Sequence, residues 1–428
     1  MNRITATYEI ESPVGIAKAA EVMAGEQSTG TFGKIALETD ELRARCAAQI
    51  DELTITGTRP RASLPSRFSS ETYERGMATI SWPLDNLGTS LPNLLSTIAG
   101  NLFELAEVSA IRLTDISLPK VFADTNPGPA FGVDGTRAAI GGHKGPMIGT
   151  IIKPCVGLSP SETAGLVQTL LDAGIDFIKD DELQANGPHC PFPERVAKVM
   201  GVINDHAERT GKRVMYAFNI TDEIDQMRRN LDLLSEYQAT CAMVCMSSVG
   251  ITGLRAVRNH SPHVIHGHRA GWGLFSRSPD IGISFPVWQQ LWRLAGADHL
   301  HVNGLASKFT EPDTVVAESA RSVQEPIFNN GGPAYSAMPV YSSAQTIWQI
   351  APARALLGND DFLFCAGGGI MSHPEGPGAG VVALRQAADA ARNGVDIKEY
   401  AREHPELQAA VDTFPETRVA LKGSVPNR

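Results

Sequence analysis

One stretch of the chain sets a lysine directly against acids: Gly174-Ile175-Asp176-Phe177-Ile178-Lys179-Asp180-Asp181-Glu182. Its apolar run reads as a short strand. Strand side chains alternate between faces, so Lys179 and Asp181 point the same way and Glu182 lies just past the end. A lysine among carboxylates makes poor core but suits a hard cation. If Lys179 takes up CO2 as a carbamate, it joins Asp181 and Glu182 as an oxygen ligand set suited to Mg2+. A solvated strand end with loosely paired charges explains the stretch equally well when it is taken alone.

Other reactive residues follow short apolar runs in the same way. They are Lys153-Pro154, His266-Gly267-His268-Arg269, His299-Leu300-His301-Val302-Asn303-Gly304, Asn329-Asn330-Gly331-Gly332 and Gly367-Gly368-Gly369, with Lys308 in the loop after the second histidine pair. Each has a plain alternative. His-x-His puts two imidazoles on one strand face, which suits zinc, yet a strand-end histidine is commonly a hydrogen-bonded structural residue. The glycines make turns, or they turn backbone N–H groups toward an anion.

The elements that carry these residues decide between the readings. From Met147 onward the sequence repeats a unit of short apolar strand, polar loop and helix. Strands are predicted over Met147–Lys153, Ile175–Lys179, Val214–Phe218, Cys241–Cys245, Val264–His268, Asp298–Val302, Pro326–Asn329 and Phe362–Cys365. Helices are predicted between them, the first opening at Ser159-Pro160-Ser161-Glu162 with a capping box and proline at the first helical position. Eight strands each followed by a helix predict a parallel (β/α)8 TIM barrel; an open doubly wound sheet has the same periodicity. In a barrel, every reactive cluster above falls at the C-terminal strand ends, the active-site face. Residues 1–125 mix strands and helices, predicting an N-terminal α+β (ferredoxin-like) domain. Residues 126–428 are then the catalytic barrel with a C-terminal helical tail, and the Gly- and Pro-rich segment 124–145 is a linker.

Composition sets the outer limits. With 37 basic and 47 acidic residues the net charge is −10, which argues against a nucleic-acid partner. The six cysteines are scattered without a CxxC pair, as expected of a reduced cytoplasm. No apolar run is long enough for a signal core or a membrane span.

The motifs in order resemble the signature segments of the RuBisCO large-subunit superfamily. Thr150-Ile151-Ile152-Lys153-Pro154, Asp176 to Glu182, His266-Gly267-His268-Arg269-Ala270 and Asp298-His299-Leu300-His301 carry the likeness, as do Gly25 to Thr31, Ala99 to Phe103 and Gly367 to Pro374. The resemblance covers nearly the whole chain. It implies one Mg2+ per subunit held by carbamylated Lys179 with Asp181 and Glu182. Lys153 would move protons on and off an enediolate, and His268 would sit beside the substrate. Arg269 and His301 match one phosphate site, and Thr31, Gly332, Gly367 and Gly368 the other, with Asn330-Gly331 in the same segment. Lys308 matches a mobile-loop lysine that holds a carboxylate. Glu26 and Asn101 match residues that complete the site of a neighbouring subunit, which implies at least a homodimer, with larger assemblies open to it.

The departures from the carboxylases are equally informative. Cys155 stands where they carry a second lysine, Asn330 where they carry a phosphate-side serine, Phe32 in place of tryptophan, and Gly271-Trp272 in place of Met-His. Losing a cation beside the metal weakens support for developing negative charge, so the resemblance is to a RuBisCO-like protein that does not fix carbon. The enolases of methionine salvage, which act on a diketo-phosphate, use a lysine at the position of Asn101, and that base is missing here. Keeping Lys308 while losing carboxylase residues fits carboxylation run backwards. The branch of RuBisCO-like decarboxylases acting on 3-oxo-isoapionate 4-phosphate resembles this pattern best. A keto-phosphate enolase or isomerase is the alternative. A metal-dependent hydrolase of the amidohydrolase type is a further one, disfavoured because its His-x-His lies on the first strand and its lysine on the fourth.

Overall fold

The computed structural model of the chain describes residues 2–30, 35–142, 144–328 and 331–420. In chain order its strands are β1 (Arg3–Ser12), β2 (Gln49–Arg59), β3 (Tyr73–Pro83), β4 (Ala110–Ser117), β5 (Met147–Ile151), β6 (Phe177–Lys179) and β7 (Met215–Asn219). They continue with β8 (Cys241–Cys245), β9 (Val264–His268), β10 (Ile281–Ile283), β11 (His299–Asn303), β12 (Met338–Tyr341) and β13 (Leu363–Cys365). The chain divides into two compact units. One comprises Met1–Pro127, Gly271–Ala295 and Pro326–Ala334; the other comprises Gly128–Ala270, Gly296–Glu325 and Tyr335–Arg428.

The first unit is built on a sheet ordered β10-β4-β1-β3-β2. Central β1 alternates, burying Ile4, Ala6, Tyr8 and Ile10, as a half-covered antiparallel strand should. The helix Ile16–Glu26 supplies Ile16, Ala19, Ala20 and Met23 to that core, and the helix Leu91–Ala99 supplies Leu91, Leu94 and Ile98. The Tyr8 hydroxyl donates to the Ile98 carbonyl at 2.6 Å. Two of these strands have weak sequence signals. Edge strand β2 is exposed along almost its whole length, so it lacks an alternating apolar face. Short β10 pairs parallel to β4 from far along the chain.

The second unit is a closed parallel barrel in the order β5-β6-β7-β8-β9-β11-β12-β13. Met147, Phe177, Met215, Cys241, Val264, Met338 and Leu363 fill its interior. Strands β8 and β9 have the predicted bounds, and the capping box at Ser159 and Glu162 forms. The seventh barrel strand does not lie at Pro326–Asn329. It is Met338–Tyr341, and Gly331 and Gly332 precede it instead of following it. The apolar run Ile327-Phe328 belongs to the other unit, so strand-like composition there reflects burial against different neighbours.

Segment 124–145 is more than a linker, since it contains the helix Gly132–Ala139. Asp298 anchors that helix by accepting from the Phe131 and Gly132 backbone N–H groups at 2.6 and 3.1 Å. The sequences Gly174-Ile175-Asp176 and Gly296-Ala297-Asp298 do the same work at two strand starts. Each glycine has a positive φ, +82° and +113°, which costs glycine little. Each aspartate then accepts an N–H of the adjacent strand, Ile148 at 2.9 Å and Ile265 at 2.8 Å. Arg385 and Lys212 neutralise Asp176, and Arg258 neutralises Asp298 at 2.9 Å. Asp298→Ala strips a buried guanidinium of its partner. It should cost about 3–5 kcal/mol, read as a lower urea midpoint; an unchanged midpoint would contradict the anchoring role.

Candidate active site

Strand parity determines which side chains reach the barrel mouth. On β6, Phe177 lies in the barrel core, and Lys179, two residues on, shares its face and is fully buried. Asp180 therefore points the other way. It accepts from the Tyr216 hydroxyl at 2.6 Å and the Asn219 N–H at 2.9 Å, and pairs with Arg195 at 3.2 Å. Arg195 also donates to the Cys190 and Ala185 carbonyls at 2.9 and 2.6 Å. Asp180 thus braces the loop that follows Asp181 and Glu182.

Lys179 Nζ donates to the Asp180 carbonyl at 2.8 Å and lies 3.8 Å from Glu182 Oε2. Burial lowers its pKa against the pull of Glu182 and Asp181, leaving more free amine to react with CO2. Asp181 is 2.6 Å from Lys153 Nζ and accepts the Leu183 N–H at 3.1 Å. Burial raises its pKa, but the Lys153 and Leu183 hydrogen bonds outweigh that and hold it below the usual carboxylate range. Burial pulls the Lys153 ammonium down, yet Asp181 and Cys155 more than compensate and its pKa is raised. Cys155 Sγ lies 2.9 Å from Lys153 Nζ, so the thiol occupies space beside the ammonium without adding a cation.

Asp181 and Glu182 alone are an incomplete set for a hard cation, and among the described residues no group of three His, Cys, Asp or Glu is arranged to hold a metal. A carbamate on Lys179 would supply the missing oxygens. Three oxygen ligands with ionised Asp181 fit Mg2+ better than a soft metal.

On β9 and β11, parity turns His266, His268, His299, His301 and Asn303 inward. His268 Nδ1 accepts the Ala270 N–H at 3.2 Å, leaving its proton on Nε2, which is 3.5 Å from Glu182 Oε2. His301 has both nitrogens engaged, Nε2 with His266 Nε2 at 2.7 Å and Nδ1 with Ser342 Oγ at 3.0 Å. That leaves Arg269 as the cation for an anionic group on this side. Arg269 pairs with Glu311, which also accepts from Asn303 Nδ2 at 3.0 Å. Lys308 is exposed, its Nζ 5.4 Å from the centre of the Phe309 ring, and the structure does not bring it to Lys179.

Gly367 and Gly368 follow β13 at the start of the helix Gly367–Met371. A Cβ on Gly367 would lie 3.6 Å from Lys153 Cε, so the backbone there runs beside Lys153. Thr31 and Asn330 lie outside the described residues, as does Phe32. Glu26 and Asn101 are exposed in the other unit, where Asn101 Nδ2 donates to Glu26 Oε1 at 3.0 Å.

The residues at the true end of β12 escape sequence reasoning. They are Ser342-Ser343-Ala344-Gln345, a run without the glycines that drew attention to Gly331 and Gly332. Ser343 and Ala344 have φ of 74° and 56°, a strained conformation for residues with a Cβ and one that gathers at functional sites. Close approach also matters nearby, since a Cβ on Gly304 would sit 2.1 Å from the Ser342 carbonyl oxygen. Glu311 had no signal beyond being an acid in a loop.

Burial dominates the depressed pKa values of His266, His299 and His301, and takes His299 from 6.5 to about 3. The folded rings bind protons more weakly than the unfolded ones. Their stabilisation is therefore complete above the unfolded value and drains as pH falls below about 6.5, by up to about 1.4 kcal/mol per ring per pH unit. Urea midpoints should drop steadily between about pH 7 and about pH 5, before ordinary carboxylates protonate; a flat profile would mean that the rings are already charged in the native state.

Comparison with known proteins gives a consistent answer. Residues 2–122 match the family model "Ribulose bisphosphate carboxylase large chain, N-terminal domain", and residues 132–414 match the model of its catalytic domain. A Xanthobacter autotrophicus protein named 3-oxo-isoapionate-4-phosphate transcarboxylase/hydrolase is 51% identical, the alignment covering 96% of this chain and 98% of that one. A Rhizobium rhizogenes protein named 3-oxo-isoapionate-4-phosphate decarboxylase is 41% identical, with 97% and 100% covered. The crystal structure of a rubisco-like protein from Burkholderia fungorum superposes with a TM-score of 0.90 at 41% identity, covering 97% of this chain and 100% of that one.

Proposed function

The chain belongs to the ribulose bisphosphate carboxylase large-chain family, and from that premise we propose that it removes the carboxylate of a 3-oxo acid sugar phosphate of the 3-oxo-isoapionate 4-phosphate type. The observation that carries this is the Lys153 ammonium, held 2.6 Å from Asp181 Oδ2 beside buried Lys179. A proton donor kept charged next to a ligand set for a hard cation is the equipment for making and quenching an enediolate.

Carbamylated Lys179, Asp181 and Glu182 would hold Mg2+, which would supply a Lewis acid for negative charge on the substrate oxygens. The chain's own groups do the rest. Arg269 meets the phosphate, Lys308 meets the carboxylate when its loop comes in, and the His268 Nε2–H faces the oxygens of the reacting carbons. The bond to the carboxylate breaks, its electron pair remains on the sugar carbon as the enediolate, and CO2 departs. Lys153 then delivers its proton to that carbon and recovers one from solvent.

Two fates of the CO2 are open to this site, and the order of identity favours the second. In simple decarboxylation it leaves, as the name of the 41% identical relative describes. In transfer with hydrolysis the other enediolate carbon captures it, water adds to the new ketone, and the carbon–carbon bond splits to give two acids. The 51% identical relative carries that name. The working assembly is proposed to be at least a homodimer, with Glu26 and Asn101 facing a partner's site.

Incubation with 3-oxo-isoapionate 4-phosphate, Mg2+ and bicarbonate should consume the substrate. Released CO2 with a keto-phosphate identifies the first fate, and two acids without net CO2 the second. Lys153→Ala should lower turnover by roughly 100- to 10,000-fold. Absence of either product set, or a Lys153→Ala variant as active as the parent, would overturn the proposal.

A further inference from the structure

A row of side chains runs through the barrel from its floor to its mouth, and its hydrogen bonds admit one polarity. At the floor, Thr136 Oγ1 donates to the Gly132 carbonyl one turn earlier at 2.5 Å. The hydroxyl has a single proton and has spent it, so toward His299 Nε2, 2.9 Å away, it accepts only. His299 therefore carries its proton on Nε2, and its Nδ1 is bare. Nδ1 of His299 faces Nδ1 of His266 at 3.2 Å, so His266 donates from Nδ1 and its Nε2 is bare. That atom faces His301 Nε2 at 2.7 Å, so His301 donates from Nε2. His301 Nδ1 is left to accept from the Ser342 hydroxyl at 3.0 Å.

Every contact in the row holds one proton. A second proton on His299 or His266 would set two N–H groups face to face between buried rings, and one on His301 would force the Ser342 hydroxyl to turn and accept instead of donate. We propose that Thr136 is a positioning residue. Through the chain Ser342 to His301 to His266 to His299 to Thr136 it fixes the tautomers of three histidines and commits the Ser342 proton inward, so that Ser342 offers only lone pairs at the end of β12. A residue on the barrel floor thereby sets the hydrogen-bonding character of a group at the mouth. The polarity holds whatever the substrate; its effect on turnover rests on the reaction proposed above.

The test is the protonation pattern of the full-length protein labelled with 15N-histidine, read by long-range 1H–15N correlation at neutral pH without substrate. His299 and His301 should appear as Nε2–H tautomers and His266 as the less common Nδ1–H tautomer. Thr136→Val removes the terminal acceptor and should abolish the His266 Nδ1–H signature, whereas Thr136→Ser should restore it together with turnover. Finding His266 as Nε2–H, or any of the three rings doubly protonated, would overturn the inference. So would a folded Thr136→Val protein with an unchanged spectrum. The parent spectrum alone decides the polarity if Thr136→Val fails to fold, and none of these readings depends on whether the proposed substrate is turned over.

Discussion

The site depends on a lysine amine held inside an apolar barrel. Lys179 has Phe177 below it on its own strand and Met243 Sδ at 3.6 Å, surroundings in which an ammonium is costly. Two carboxylates at the strand end offset part of that cost, and conversion to a carbamate changes the sign of the charge. The buried amine would thus become a ligand when CO2 is present. A surface lysine, protonated at neutral pH, would have no comparable reason to react.

Around that group the barrel assigns roles by strand. The strand carrying Lys179 also holds Asp180, whose contacts with Arg195, Tyr216 and the Asn219 N–H lock the backbone that presents Asp181 and Glu182. Strand β5 leads to Lys153, placed against Asp181 at 2.6 Å, so that the proposed proton donor and the proposed ligand would share one geometry. Strands β9 and β11 carry four inward histidines, but these do unlike things. His268 turns its Nε2 toward Glu182, whereas His266, His299 and His301 are consumed in hydrogen bonds to one another and to Thr136 and Ser342.

Much of this was legible in the chain. The barrel showed itself because each strand is a short apolar run punctuated by a helix signal, and β8 and β9 have the predicted bounds. Lys179 and Asp181 could be placed together because strand alternation sets them on one face, whereas the parts expected of Lys153 and His268 come from the family resemblance. The seventh strand was missed because Pro326-Ile327-Phe328 is as apolar as Met338–Tyr341, and local pattern cannot tell which run the barrel uses. That error carried Gly331 and Gly332 to a place they do not occupy and hid Ser342, which matters through a bond to His301, a residue 41 positions away. Composition alone likewise does not say that Asp180 meets Arg195.

The central claim is that Lys179 becomes a metal ligand by taking up CO2. Calorimetric titration of Mg2+ into the protein, with and without bicarbonate, tests it most directly. One Mg2+ per subunit should bind with bicarbonate present, binding should weaken sharply once CO2 is removed, and Lys179→Met should bind weakly in both conditions. Equal affinity with and without bicarbonate, undisturbed by Lys179→Met, would contradict it.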